Sequence, residues 1–168
     1  GAGVIKEIVV TTNMEHSADI EGTKQLIKNM CGLEVGNALS KENVVNAIIT
    51  LWAVNILSDI QILQAPVEGG HRVIIDVDLL PRVNEITLDG FDEIKNEEIL
   101  NAIKLTRGRA IGDRRAAEIR DTILDLYHEK GYLAADLDIT RTPAVIDSAG
   151  VSVVDSTWVD VAINMDEG

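Results

Sequence analysis

Two stretches of the chain, ILSDIQIL at 56–63 and YLAADLDIT at 132–140, each set a tight corner, an Asp and an alternating strand directly behind a helix-like run. A repeat at this spacing constrains the fold strongly, because each copy must be one supersecondary unit. The similarity extends in both directions. VIKEIVVTTN (4–13) is similar to RVNEITLDGF (82–91), each alternating and then turning. A short helix-like segment follows in each half, then GLEVGNALS (32–40) against KLTRGRAIG (104–112), then a longer helix-like segment and the corner. Each half closes on a strand, HRVIIDVDLL (71–80) and WVDVAINM (158–165). Each half therefore reads β-α-α-β-β.

The helices follow from period and caps. Over 18–31, Ile20, Ile27, Met30 and Cys31 recur at helical spacing, with Gly32 as the stop. Gly22 makes this the weakest helix, at a cost of about 1 kcal/mol relative to Ala. Ser40 is placed to cap the next helix, whose inward stripe is Val44, Ala47, Ile48, Leu51 and Trp52, the last expected to pack on the sheet. In the second half Asn96 precedes an acidic first turn, Glu97 and Glu98, with Ile99, Leu100 and Ile103 inward. Asp113 is the expected cap of the last helix. Ile119, Ile123, Leu126 and Tyr127 form its inward stripe, and Gly131 ends it.

The strands alternate with period two. Asp76 and Asp78 oppose Ile75, Val77 and Leu79, while Val159, Val161, Ile163 and Met165 share one face of the final strand. A sheet with one wet face and two helices on its dry face satisfies both patterns. The fold class is α+β: two tandem βααββ modules, each a three-stranded mixed sheet with two helices packed on one face. The boundary falls at DLLPRVNEI, giving modules at 1–81 and 82–168. Pro81 ends one strand and starts the next at a fixed bend, so the modules are expected to be semi-rigid relative to each other. The second carries a long insertion, PAVIDSAGVSVVDST at 143–157, expected to be an extended hairpin or a mobile loop.

Composition narrows the function. With 168 residues, 46% of them hydrophobic, the chain has enough apolar material for two small cores, and 3% aromatic content makes those cores aliphatic. A net charge of −13 argues against nucleic acid as a partner and against adsorption to anionic lipid. No apolar run reaches the roughly 18 residues of a membrane helix. The chain opens Gly-Ala-Gly without a signal peptide and is expected to be a trimmed or mature fragment. Its one cysteine, Cys31, permits no internal disulfide. His16, His71 and His128 share no metal-ligand spacing, and no nucleophile triad, phosphate loop or paired-carboxylate constellation stands out. Neither an enzyme nor a cofactor is expected.

In order and spacing these phrases resemble tandem POTRA domains, the polypeptide-transport-associated modules in front of outer-membrane β-barrels of the BamA type. The residues that carry the resemblance are Gly36 with Leu39-Ser40, Leu51-Trp52 followed by Leu57-Ser58-Asp59-Ile60, Pro81-Arg82-Val83, Gly108, LYHEKGYLAAD at 126–136, and the closing INMDEG. The first half departs at the corner, with Asn55-Ile56 where the second has Gly131; Asn tolerates the left-handed conformation better than most residues. The turn after the first strand reads TN and GF where the family has GN. The resemblance implies the periplasmic portion of a Gram-negative outer-membrane protein, whose parent is held in the membrane by a C-terminal barrel outside this chain. It implies unfolded outer-membrane proteins and accessory lipoproteins of the assembly complex as partners. Modules of a two-partner-secretion or TamA-like translocation barrel are the alternative.

Such a module offers a sheet edge. A βααββ chain places its last strand in the middle, so its second strand lies at an edge where a partner's strand can add. In 59–65 there is no Lys, Arg or Pro. Asp59, Ile60, Gln61, Ile62, Leu63 and Gln64 are therefore the expected client-strand site; the plainer alternative is an edge covered by the neighbouring module. The secondary edge, Leu137, Asp138, Ile139, Thr140 and Arg141, is charged and expected to end at Pro143. A basic cluster, Lys104, Arg107, Arg109, Arg114 and Arg115, with Arg120 beyond it, is a candidate docking surface for an acidic partner, or a solvated loop balancing Glu97, Glu98 and Asp121. Trp158 is expected to be exposed near the insertion.

Overall fold

The computed structural model describes residues 3–17 and 19–168, so the first residue of the 18–31 helix expectation lies outside the described residues. The chain divides into two units, Gly1–Leu80 and Pro81–Gly168. The first runs β1 (Val4–Thr12), α1 (Ile20–Met30), α2 (Lys41–Trp52), β2 (Leu57–Val67) and β3 (Gly70–Leu79). The second runs β4 (Arg82–Asp89), α3 (Asn96–Ile103), α4 (Asp113–Glu129), β5 (Asp136–Ser148) and β6 (Val151–Asp166). Both sheets are mixed, with the last strand central: β1-β3-β2 and β4-β6-β5. The central strand pairs parallel with the first and antiparallel with the second in each unit.

Each unit has its own core between sheet and helices. In the first, Val73, Ile75 and Val77 of β3 are fully buried beneath Ile27, Ala47 and Leu51, and Asp76 and Asp78 take the other face. In the second, Ile99, Ile119, Ile123 and Tyr127 cover Val161 and Ile163. Each such side chain contributes about 1.5–3 kcal/mol by leaving water, which makes these faces the main source of stability.

Ser40 Oγ accepts the Asn43 amide at 3.1 Å and caps α2. Asp113 caps nothing: α4 begins at Asp113 with Gly112 at the cap position, and the Asp113 carboxylate accepts instead from Arg141, at 2.6 Å. The apolar stripes are narrower than periodicity suggests. Met30, Trp52 and Leu100, expected inward, stand 36%, 41% and 38% exposed. Each lies at the margin of its stripe, where a two-helix layer leaves the side chain beyond the reach of the sheet.

The corners use the same backbone in both units. Asn55 has φ 61° and Gly131 φ 92°, so the asparagine takes the left-handed turn that the glycine takes in the other copy. The turn that follows the first strand is tied to the last strand by different side chains. In the first unit Asn13 Oδ1 accepts the Leu79 amide at 2.8 Å. In the second, Glu167 accepts the amides of Glu93 and Asp92, at 2.8 and 3.3 Å, and the Tyr127 hydroxyl, at 2.5 Å. Burial opposes the charge on Glu167, but these three donors outweigh it and hold the carboxyl below its ordinary range. Burial, then the Glu167 carboxylate, pushes the Tyr127 hydroxyl well above a normal phenol.

Candidate functional site

A three-stranded sheet has two edges, and each unit treats them differently. The outer edge of the first strand is covered by the loop after the first helix. Ile5 donates to Asn37 O and Gly36 donates to Ile5 O, both at 2.8 Å; Val83 donates to Arg109 O and Gly108 to Val83 O, again at 2.8 Å. Gly36 and Gly108, at φ 96° and 90°, supply the left-handed turn that lets this loop lie against the strand. The repeated glycine in the two loop phrases thus has a specific job: it closes one edge of each sheet.

The other edge of the first unit is β2, and no strand among the described residues pairs with its outer side. Pro66 pairs with His71 in the register, and a proline within a strand sits with its nitrogen facing away from its neighbour. Alternation then turns the amides of Gln64, Ile62 and Ile60 outward. Asp59 Oδ1 accepts the Ile60 amide at 2.9 Å, which fits an amide without a ladder partner. Ile62 and Gln64 are left with open donors. Their side chains share the face that holds Ile60 against the core, while Asp59, Gln61 and Leu63 line the opposite face with Leu63 48% exposed. The six residues expected to form the client edge therefore lie together on one strand, but the capped amide shortens the usable edge from its Asp59 end.

The corresponding edge in the second unit is β5, and here side chains occupy part of it. Arg120 of α4 donates to the Leu137 carbonyl and to the Asp136 carboxylate. That guanidinium holds the Asp136 carboxyl below its usual range. Farther along, Arg141 reaches back to Asp113 on the same helix. Leu137 and Ile139 point into the core, and Asp138 and Thr140 are exposed. The sequence expectation that Pro143 ends this strand is not met. The strand continues to Ser148 through a register shift at Pro143/Ala144 that lies on the β6 side, between Val159 and Asp155; Pro143 pairs with Val159 and, like Pro66, is tolerated with its nitrogen facing away from the central strand.

The basic residues do not act as one group. Arg115 donates to the Ile103 carbonyl and closes the end of α3, Arg114 faces Glu118 at 3.5 Å, and Arg120 belongs to the β5 edge. Arg107 lies over the Trp158 ring, 4.7 Å from its centroid, with Arg82 over the same ring at 4.3 Å. Trp158 is accordingly half-buried rather than exposed. Lys104, in the left-handed conformation at the end of α3, and Arg109 remain exposed. The amide cap on Ile60 and the role of Arg120 were missed by sequence reasoning. An Asp directly before the strand's alternating residues was a usable signal for the first; nothing local marked the second.

These features define a class: small α+β modules whose sheets each carry one edge closed by a glycine loop and one edge left for a partner or for side-chain closure. The model of the POTRA family, described as surface antigen variable number repeat, matches residues 81–168, and the chain belongs to that family. Over 120 residues it is 22% identical to the outer membrane protein assembly factor BamA of Nitratidesulfovibrio vulgaris, across 69% of this chain and 15% of that protein. The chain thus spans a small part of the curated relative that it matches. Its fold is shared by the N-terminal domain of Omp85 from Thermosynechococcus elongatus, with a TM-score of 0.56 at 17% identity over 100% of this chain and 64% of that one. POTRA domains 1 and 2 of the periplasmic domain of Omp85 from Anabaena give 0.51 at 15% identity, over 97% and 95%.

Proposed function

We propose that this chain is a periplasmic, non-catalytic protein-binding segment of an outer-membrane protein assembly factor. It receives unfolded β-barrel clients as strands added to the edge of β2, and docks the accessory lipoproteins of the assembly complex. The observation that carries this reading is the outward pair of open amides at Ile62 and Gln64, on a strand free of Lys and Arg. Backbone pairing of this kind is largely indifferent to side-chain sequence, which suits a receptor for many β-rich clients. Family membership and the assembly-factor relative support the setting. Lys104 and Arg109, exposed beside the loop that closes the β4 edge, are the residues of the basic group most available to an acidic accessory protein.

The test is an NMR titration of the isotope-labelled chain with a peptide copying one transmembrane strand of an outer-membrane barrel. The expected result is a set of amide shifts centred on Ile62 and Gln64. Shifts that leave 59–65 untouched overturn the reading. In the parent protein, a series of ten-residue alternating segments after these modules is the expected barrel signature.

A further inference from the structure

Beyond the bulge at Pro143/Ala144, β5 and β6 leave the three-stranded sheet and continue as a two-stranded arm, Ala144–Ser148 against Val151–Asp155. The turn, Ala149-Gly150, has φ 51° and 79°, the pair of positive values that a two-residue primed hairpin needs. β4 begins its pairing with β6 only at Arg82 opposite Trp158, so residues 151–155 have no neighbour on their outer side among the described residues. The arm is strongly apolar. Val145, Val151, Val153 and Val154 are 51–66% exposed, on both faces of the ribbon. An isolated two-stranded ribbon is marginal in water, and a third strand would complete it.

We infer that the outer edge of Val151–Val154 is a second strand-addition site, distinct from β2, which takes an extended partner segment with an apolar centre and Lys or Arg at its ends. The edge is defined by the turn. In a two-residue hairpin the closing pair, here Ser148 and Val151, exchanges both hydrogen bonds, so the next outward amides are those of Ser152 and Val154. The segment from 151 to 154 contains no charge and no proline, unlike the opposite rim of the arm, which follows Pro143 and carries Asp147. The partner's charge follows from the arm itself. Residues 144–155 hold no Lys or Arg but carry Asp147 near the turn and Asp155 at the base, while Arg82 and Arg107 below the base are held over the Trp158 ring. Basic ends are matched by those carboxylates, while an anionic membrane surface or an acid-flanked strand is repelled. A second copy of the arm would bring like charges together. This inference does not depend on the reading of β2, since the two edges belong to different units.

Two synthetic peptides of the same alternating Val-Thr centre test it, one flanked by Lys and one by Glu, each titrated into the full chain while amide shifts are followed. The Lys-flanked peptide is expected to move Ser152 and Val154 and to bind roughly threefold to tenfold more tightly than the Glu-flanked one at low salt. Ser152→Pro and Val154→Pro remove outward amides without breaking the hairpin ladder; the first is expected to abolish the Val154 shift and the second the Ser152 shift, while the Val161 and Ile163 amides stay unchanged. Asp147→Asn supplies a variant with the edge intact and is expected to reduce the preference for Lys ends. Equal binding of both peptides, shifts confined to 59–65, or concentration-dependent shifts at 151–154 without peptide would each overturn the proposal. So would arm shifts on adding anionic phospholipid vesicles that neither proline variant removes.

Discussion

The second strand of the first sheet and the second strand of the second sheet occupy the same place in the same topology, yet side chains restrain their outer backbone differently. On β2 the local restraints are Asp59, which occupies the Ile60 amide, and Pro66 near the opposite end, whose nitrogen faces outward without a hydrogen. On β5 a helix side chain reaches over the edge, with Arg120 taking the Leu137 carbonyl and the Asp136 carboxylate together. The difference includes one long basic side chain on α4 that takes an outward carbonyl, while both sheets close their opposite edge with the same glycine loop. An edge is thus a property of the layer above it as much as of its own sequence. A charge on the strand repels wrong partners, whereas an arginine on the neighbouring helix removes the hydrogen-bonding group that any partner would use.

The largest expected effect comes from closing β2. Gln64→Pro removes an outward amide and puts a ring on the edge while leaving the ladder to β3 intact, so binding of a barrel-strand peptide is expected to fall by roughly tenfold or more. Gln61→Pro is the contrasting change. By the alternation fixed at Pro66 its amide points toward β3, so the expected result is a lower melting temperature of the first unit. Calorimetry together with peptide titration separates the two. If Gln64→Pro binds like the parent, the comparison of edges fails at its stronger member.

Opening β5 is the next test. Arg120→Ala is expected to expose the Leu137 carbonyl and to let the second unit bind the same peptide, more weakly than β2, with new amide shifts along 137–141. Acid weakens the same closure by another route, by removing its Asp136 half while the bond from Arg120 to the Leu137 carbonyl remains. The Asp136 carboxyl lies below its ordinary value of 3.8 in the folded chain because Arg120 donates to it and the Leu137 amide adds to the effect. A depressed carboxyl contributes stability that is fully present above the unfolded value and is lost as pH falls through the folded one. Hydrogen exchange at the β5 edge, corrected for the intrinsic pH dependence of exchange, is therefore expected to keep its protection from neutral pH down to about pH 4 and to lose it below that. In Arg120→Ala the acid step is expected to vanish.

Much of this fold was legible because it is written twice. Repeat spacing gives the βααββ order, and the shared corner is readable even though Asn55 stands in for a glycine, since both residues accept a left-handed backbone. The edge position of β2 follows from the topology, and its lack of Lys and Arg is plain in the sequence. Three classes of feature were not legible. Helical period gives the direction of a stripe but not its depth, so Met30, Trp52 and Leu100 were expected inward and are exposed. Ties between residues far apart in the chain, such as Asn13 to Leu79 and Arg120 to Leu137, depend on how layers stack and leave no local trace. The basic cluster looked like one patch because its members are neighbours in sequence. The fold sends Arg115 to a helix end, Arg120 to a strand edge and Arg107 onto an indole.

The smallest predicted effect bears on the more open edge. Asp59 Oδ1 holds the Ile60 amide at 2.9 Å, so a partner strand adding to β2 must either stop short of Ile60 or displace the carboxylate. Displacement exchanges one hydrogen bond for another and gains little; stopping short forgoes a backbone bond worth about 0.5–1.5 kcal/mol net. Asp59→Ala removes the competitor and also one negative charge from an acidic chain. A neutral strand peptide is expected to bind about twofold to tenfold more tightly, with the Ile60 amide joining those of Ile62 and Gln64 in the shifted set. Asp59→Asn discriminates between the two causes. Its side-chain oxygen still accepts the amide while its charge is gone, so it is expected to stay near the parent affinity if the hydrogen bond governs, and to match Asp59→Ala if charge does. The second outcome would make β2 and β5 alike in kind, both guarded by charge, and would leave Arg120 as a difference of degree.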